Sequence, residues 1–548
     1  MTNRRGMSRR DLLAGAVAFP VAFATGCGGP AAAKIDGEIL GASEKIGHRL
    51  RDGFRPTPKD TAWRHVSVVI VGGGIAGLSA AWRLKRAGFN DFVLLELEPV
   101  AGGTSRGGEL KGIPCPWGAH YLPVPMASNR PLVALLKEMN VVESEDAEGE
   151  PRIAEQYLCR DPEERLFFNG AWREGLIPEL SADDQQQMNS FHAEVDRWVQ
   201  WRDARGRRAF TIPVANCSDD PEVTRLDRQT MGAWLDERNL RSPRLRWLID
   251  YACRDDYGMT VDQTSAWAGL FYYASRVRRS GDEAQPLITW PEGNGRLAAH
   301  LIDAVREHVR SGLAVTEVVS REVDGVQTIE VVAVGSDGSS VEGFRTDRVI
   351  FAAPQFLAPY LVRGYRDSRG QDASEFQYGA WLVANLYLKQ RPAGRDFPLA
   401  WDNVIYDSPS LGYVTATHQS GRDHGPTVFT YYLPLCDDDP KQARERLLQD
   451  GWSVWCDRIL RDLEQAHPEL RSIVERVDVM RWGHAMIRPR PGFIWGTART
   501  AAAKPFGSIH FAHSDLSGVA LFEEAFYHGH RAAEEVLTAR DHRIGTAL

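Results

Sequence analysis

Val66-Ser67-Val68-Val69-Ile70-Val71-Gly72-Gly73-Gly74-Ile75-Ala76-Gly77 is the stretch whose reading decides the fold. The β-branched run up to Val71 suits a strand buried on both faces. Gly72, Gly74 and Gly77 follow at GxGxxG spacing, and a helical pattern runs from Ile75 to Ala87. A second apolar strand, Phe92-Val93-Leu94-Leu95, ends on Glu96. Strand, glycines, helix, strand and acid, with the acid roughly 20 residues past the glycines, form a βαβ unit with a dinucleotide-binding fingerprint. Gly72 permits the tight turn, Gly74 lets backbone approach a pyrophosphate, and Gly77 allows close helix–strand packing. The helix N-terminus offers free N–H groups and partial positive charge to the phosphates. Glu96 stands where a carboxylate accepts from ribose hydroxyls, and Glu98 is expected to be its solvated neighbour.

Beyond this unit, Glu96-Leu97-Glu98-Pro99-Val100-Ala101-Gly102-Gly103-Thr104-Ser105-Arg106 resembles the acid-then-GG signature of the flavin amine oxidase superfamily. That superfamily includes monoamine and polyamine oxidases, protoporphyrinogen oxidase and phytoene-type desaturases. Phe511-Ala512-His513-Ser514-Asp515 resembles its FAGxE segment, with Asp515 in place of Glu and His513 in place of a small glycine. Ser517-Gly518 and Phe522-Glu523-Glu524-Ala525 follow as in that family. Pro291-Glu292-Gly293-Asn294-Gly295-Arg296-Leu297 and Thr346-Asp347-Arg348-Val349-Ile350-Phe351-Ala352-Ala353-Pro354 are similar to two further family segments, so the resemblance spans residues 66–537.

The resemblance implies FAD rather than NAD. It also implies an α/β fold in which a Rossmann-like FAD-binding domain is interleaved with an α+β substrate-binding domain. By the same resemblance, Gly102 and Gly103 press a second loop on the pyrophosphate and Arg106 neutralises it. Val315 touches adenine through its backbone, and Asp515 bonds a ribityl hydroxyl. Phe522 opens a helix whose N–H groups aim at the flavin N1–C2=O edge.

Two textures alternate along the chain. Segments 65–130, 291–375 and 476–540 carry the FAD-binding pattern, including strands at Val315–Val319, Thr328–Val334 and Arg348–Phe351. Segments 131–290 and 376–475 are expected to form the substrate-binding domain. The first of these is helical and rich in tryptophan (Trp198, Trp201, Trp234, Trp247, Trp267), which reads as core rather than as a ligand cage.

The 548 residues are 43% hydrophobic and 25% charged, the profile of a globular enzyme of several units. A formal charge of −8 excludes the basic footprint of a nucleic-acid binder. Ser8-Arg9-Arg10-Asp11-Leu12-Leu13 resembles a twin-arginine export motif, and the apolar run Leu12–Phe23 is shorter than the roughly 20 residues a membrane span needs. Ala24-Thr25-Gly26-Cys27 resembles a lipobox. The expectation is a signal over 1–27, a tether over 28–64 with one short helix, export by the Tat translocase, and a lipid anchor at Cys27 in the periplasm or cell envelope. Cys115, Cys159, Cys217, Cys253, Cys436 and Cys456 form no CxxC pair and no metal spacing, so no metal site is expected and the thiols read as buried. No residue for covalent flavin attachment can be assigned.

Relatives that oxidise amines carry a lysine after the A-x-P strand and an aromatic cage near the last helix. Here those positions read Gln355-Phe356-Leu357-Ala358-Pro359-Tyr360-Leu361 and Leu521. The substrate-facing candidates are His120, Tyr121 and His484; an uncharged imidazole can take a proton near neutral pH. The leading expectation is hydride transfer from a small amine, polyamines included, to flavin N5, with electrons passing to oxygen or an envelope redox partner. A desaturase or dehydrogenase of an apolar substrate, and a non-catalytic flavin-binding envelope protein, are the alternatives.

Overall fold

The computed structural model describes residues 34–540, apart from 42, 324, 325, 337, 339 and 395. The expected export signal, with Arg9, Arg10 and Cys27, lies outside the described residues. The chain runs through Ile39–Gly41 (β1), Glu44–Arg51 (α1), Trp63–His65 (β2), Val68–Val71 (β3), Ile75–Arg86 (α2) and Phe92–Leu95 (β4). Further on, Pro243–Tyr257 (α3), Leu313–Val323 (β5), Arg348–Phe351 (β6), Tyr378–Leu388 (β7), Val474–Ile487 (β8), Ile509–Phe511 (β9) and Phe522–Ala539 (α4) position the site.

The fold is the expected mixed α/β arrangement. β3 lies at the centre of a five-stranded parallel sheet, in the order Val309–Arg310, β4, β3, β6, β9. Alternate residues of a strand face opposite ways. Val68 and Ile70 accordingly join a core with α2 and α4, while Val69 and Val71 join another with Leu313, Val315 and Val331. Burial on both faces is why the run is β-branched without interruption. Each such side chain contributes about 1.5–3 kcal/mol when taken out of water. α2 and α4 touch backbone to backbone, because a Cβ on Gly529 would sit 2.0 Å from the Ala76 oxygen. Ser79 Oγ donates to the Phe526 carbonyl at 3.0 Å across the same contact.

On the other face lies an antiparallel meander of β5, Val326–Gly335 and Val341–Thr346. A second, eight-stranded sheet is built around β7, which pairs antiparallel with β8 and with Thr427–Pro434. Leu382, Ala384 and Leu386 pack with Trp455 and Ile459 of the Trp452–Glu464 helix. Trp381 and Val383, on the opposite face, pack with Trp117, Tyr432 and Met480. The helical block buries Trp198, Trp234 and Trp267 in one core, with Trp201 at its edge.

Two boundaries differ from expectation. β8 was expected to open the third FAD-binding segment at 476, yet it belongs to the eight-stranded sheet. Val477 and Val479 alternate into the core beneath β7, which fixes its place there. Residues 34–65 carry more structure than a tether with one helix. β1 runs parallel to β8, with Ile39 opposite Val479, and β2 closes the meander's edge. The physical signal was a sparse one: Ile46 and Leu50, spaced four apart in a polar helix, are the two residues α1 buries.

Candidate active site

A cavity of about 1670 Å³ opens at the carboxyl ends of the parallel strands, the usual ligand crevice of such sheets. Its walls include Gly72 and Gly74 after β3, Glu96 after β4, Pro354 after β6 and Asp515 after β9. Gly72 has φ of +102°, and a Cβ there would meet the backbone of Ala352 and Ala353 at 3.1 Å. A Cβ on Gly77 would lie 1.9 Å from the Gly72 oxygen, whereas Gly74 faces open space. α2 begins without a side-chain cap, which leaves its first N–H groups free for an anion. The Gly102 N–H donates to the Gly73 carbonyl at 2.8 Å, and Gly103 lies over Gly74, so the second loop closes on the first. These residues fit a dinucleotide pyrophosphate.

Glu96 is 9% exposed and accepts from the Gly73 N–H at 2.6 Å and the Glu98 N–H at 2.7 Å. Burial pushes its carboxyl up despite those two donors. A carboxylate has about four acceptor positions, so capacity remains for ribose hydroxyls. Glu98 is not the solvated neighbour expected: it accepts from the Ser43 N–H at 2.7 Å and from its hydroxyl at 3.2 Å, pinning the start of α1. Arg106 turns toward β8, with its guanidinium 5.3 Å from the Trp482 ring and a nitrogen 3.6 Å from Met480 Sδ. Val315 lines the cavity where the β5 register slips past Thr316.

Asp515 is buried and accepts from the Tyr378 hydroxyl at 2.6 Å and the Gln355 N–H at 2.9 Å, with His513 Nδ1 3.0 Å away. Burial opposes ionisation, but His513 and these donors hold the carboxyl below its ordinary range. The Gln355 side-chain amide beside it is 2% exposed and meets no partner at either end. Phe522 lines the cavity at the start of α4, whose N-terminus also lacks a side-chain cap.

Farther along the wall, His120 stacks on Tyr432 with centroids 4.6 Å apart and meets Tyr121 edge-on at 5.1 Å. His484 stands with a different group: it stacks on Phe356 at 4.2 Å and meets Tyr378 edge-on at 5.7 Å. Burial lowers both imidazoles to about 4; a backbone bond to Gly118 opposes the shift at His120, and Arg444 adds to it at His484. His484 is open to the cavity. Both rings are uncharged at neutral pH and are weaker bases than free imidazole.

The candidates did not include Asp255, Asp256 and Arg276, which line the same cavity. The Tyr121 hydroxyl lies 3.4 Å from Asp255 Oδ2 and 3.4 Å from Asp256 Oδ1. Arg276 Nη2 donates to both Asp256 oxygens, at 2.9 and 2.7 Å. A signal for them existed. Two acids in the last turn of α3 oppose the helix dipole, a local conflict that points to a special site. Glu523, in the first turn of α4, also lines the cavity and is 5% exposed.

The glycine cradle and the buried acid after β4, at one part of a largely apolar cavity, together define a dinucleotide-dependent oxidoreductase of the FAD-binding type. The chain belongs to the family of flavin containing amine oxidoreductases, whose profile matches residues 75–537. Over 219 residues it is 28% identical to a protein provisionally named a flavin-containing monoamine oxidase from Mycobacterium tuberculosis. That match covers 39% of this chain and 41% of the relative, so it spans less than half of the relative's length. Among solved structures, putrescine oxidase bound to putrescine superposes with a TM-score of 0.64 and 17% identity, over 87% of this chain and 100% of that one. Cyclohexylamine oxidase from Brevibacterium oxydans gives 0.60 and 15%, over 87% and 99%. At these identities the two structures establish the shared fold.

Proposed function

We propose that this FAD-dependent enzyme oxidises a small amine, polyamines included, and passes the electrons to oxygen or to a redox partner in the cell envelope. Bound FAD supplies the two-electron acceptor for a C–H bond of the substrate. Gly72, Gly74, Gly77, Gly102 and Gly103 hold its pyrophosphate, with positive charge supplied by Arg106 from beside Trp482. Glu96 holds ribose, Val315 adenine and Asp515 the ribityl chain, and the N–H groups at Phe522 face the ring.

One observation carries this proposal: the dinucleotide cradle and the wall bearing His120, Tyr121 and His484 belong to a single cavity. The aromatic walls exclude water and hold the reacting carbon in place, which supplies much of the rate in such sites. Neither imidazole carries a charge that would repel an ammonium, and both serve as neutral hydrogen-bonding partners. Leu521 and Phe356, apolar residues lining the cavity, support a second reading, dehydrogenation of an apolar carbon skeleton.

The N-terminal motif supports export of the folded, FAD-loaded chain by the Tat translocase, followed by lipid anchoring at Cys27. Anaerobic mixing of the purified holoenzyme with a panel of amines, and with isoprenoids and steroids, tests the activity. Bleaching of the flavin by amines is expected. Bleaching by the apolar panel alone would overturn the amine reading in favour of the second.

A further inference from the structure

We propose that the chain from β1 to β2 is a strap across the dinucleotide crevice, with α1 as a third wall of the cofactor site that keeps FAD from leaving. Its role rests on the ribose and adenine positions proposed above for Glu96 and Val315, and it is independent of the substrate oxidised.

This segment precedes the residues that the family profile matches, so its part in the site follows from its own contacts. It is fastened to a different sheet at each end. β1 pairs with β8 of the eight-stranded sheet, Ile39 opposite Val479 and Gly41 opposite Arg481. β2 pairs with the outer strand of the meander, where Gly343 leaves room for the Trp63 ring: a Cβ there would lie 2.5 Å from it. Between the two, α1 divides its faces. Ile46 shares a core with Ala314 and Val334, and Leu50 shares one with Leu313 and Val315. Glu44, Gly47, His48 and Arg51, at the three- and four-residue spacing of one helical face, line the cavity instead.

The start of α1 is tied to the ribose acid through one intermediary. Ser43 gives its N–H and hydroxyl to the Glu98 carboxylate, and the Glu98 N–H donates to Glu96 at 2.7 Å. Past the other end, Arg55 donates to the Leu50 carbonyl at 3.0 Å and to the Tyr360 carbonyl at 2.5 Å. Tyr360, like Ala314, is a cavity residue. α1 therefore lies over the half of the crevice where adenine and ribose belong. A helix of eight residues does not persist without its packing, and α1 buries just two side chains. Undocking it is a local opening that costs far less than unfolding the sheets. FAD beneath the strap favours the docked state, and the docked state, by linkage, favours bound FAD.

The test follows FAD fluorescence as the holoenzyme is diluted, and needs no substrate. Glu98→Ala strips Ser43 of its acceptor but keeps the N–H that meets Glu96, and Ile46→Asn unseats α1 from the meander. Each should release FAD roughly 10-fold faster than wild type, the scale of one charge-assisted hydrogen bond. Trypsin should cut wild type within α1, at Lys45 or Arg49, several-fold faster once FAD is removed. Joining β1 to β8 by a disulfide, Ile39→Cys with Val479→Cys, should slow FAD release, and reduction should restore the wild-type rate. A mere loss of stability does not produce that reversal. Wild-type release rates in both point variants, tryptic cleavage indifferent to FAD, or a disulfide without effect would each overturn the strap. If a point variant fails to fold, the disulfide and the protease decide. A strap that fails leaves the amine reading untouched, and a flavin that no amine bleaches leaves the strap untouched.

Discussion

The Tyr378 hydroxyl donates to Asp515 at 2.6 Å, joining β7 of the eight-stranded sheet to the chain just beyond β9 of the parallel sheet. Asp515 is thereby oriented by a residue of the sheet that also carries Trp381 and Val383 into the cavity wall. Tyr378→Phe removes one of the groups that keep this carboxyl ionised. A hydrogen bond to a charged group is worth roughly 1.5–3 kcal/mol, so FAD should bind about tenfold more weakly or worse. Unchanged retention of FAD through repeated gel filtration would show that Asp515 does not depend on Tyr378.

Glu96→Ala deletes the acceptor for the Gly73 and Glu98 N–H groups as well as the proposed ribose contact. Loss of charge-assisted bonds at roughly 1.5–3 kcal/mol each should lower FAD affinity by one to two orders of magnitude. The melting temperature should fall, and excess FAD should recover much of the loss by mass action. An FAD affinity equal to wild type contradicts the ribose role.

The flavin should be bound without a covalent link. The six described cysteines are free, and burial pushes the Cys115 and Cys436 thiols up to about 12 and Cys456 up to about 11, which leaves little nucleophilic thiolate. Acid precipitation should release yellow cofactor into the supernatant. Flavin that stays with the pellet contradicts this.

Glu523 also sets a pH dependence of stability. Its folded carboxyl is raised by burial to about 7 against an ordinary 4.5, so between those values the folded state binds the proton and the unfolded state has released it. Stability from this group is therefore present below pH 4.5 and is lost as pH rises to about 7. Glu523→Gln removes the titration, so the variant should gain on wild type over that interval, by on the order of 3 kcal/mol. Thermal unfolding across the pH range checks this. A stability difference that does not change with pH contradicts it.

Much of the cofactor half was legible in the sequence because its determinants are local. The β3 run, the glycines and Glu96 lie in one continuous stretch, and period, spacing and chemistry agree there. The Phe511–Asp515 segment and the opening of α4 were legible in the same way. The substrate end was less so. Arg276 meets Asp256 across 20 positions of chain, and Glu523 reaches them from α4, so only the tertiary fold brings them together. Glu98 was misread for a related reason: its partner, Ser43, comes from a segment with no periodic signal linking the two.

The proposed export route separates into two steps. Replacing Arg9 and Arg10 by Lys should strand FAD-loaded precursor in the cytoplasm, and Cys27→Ser should release an exported protein from the membrane. One acyl chain anchors only marginally, at about 0.8 kcal/mol per buried CH₂, so lipid attachment must add more than one. Normal export of the double-lysine variant contradicts the twin-arginine assignment, and a wild type that fractionates as soluble contradicts the anchor.

The central claim, that bound FAD accepts electrons from an amine held in this cavity, is tested most directly by anaerobic mixing of the holoenzyme with an oxidisable diamine. The visible flavin band should bleach in a single turnover, and admitting oxygen or an envelope acceptor should restore it. A flavin that stays fully oxidised with every amine tried, in protein shown to bind FAD and to be folded, would contradict the account.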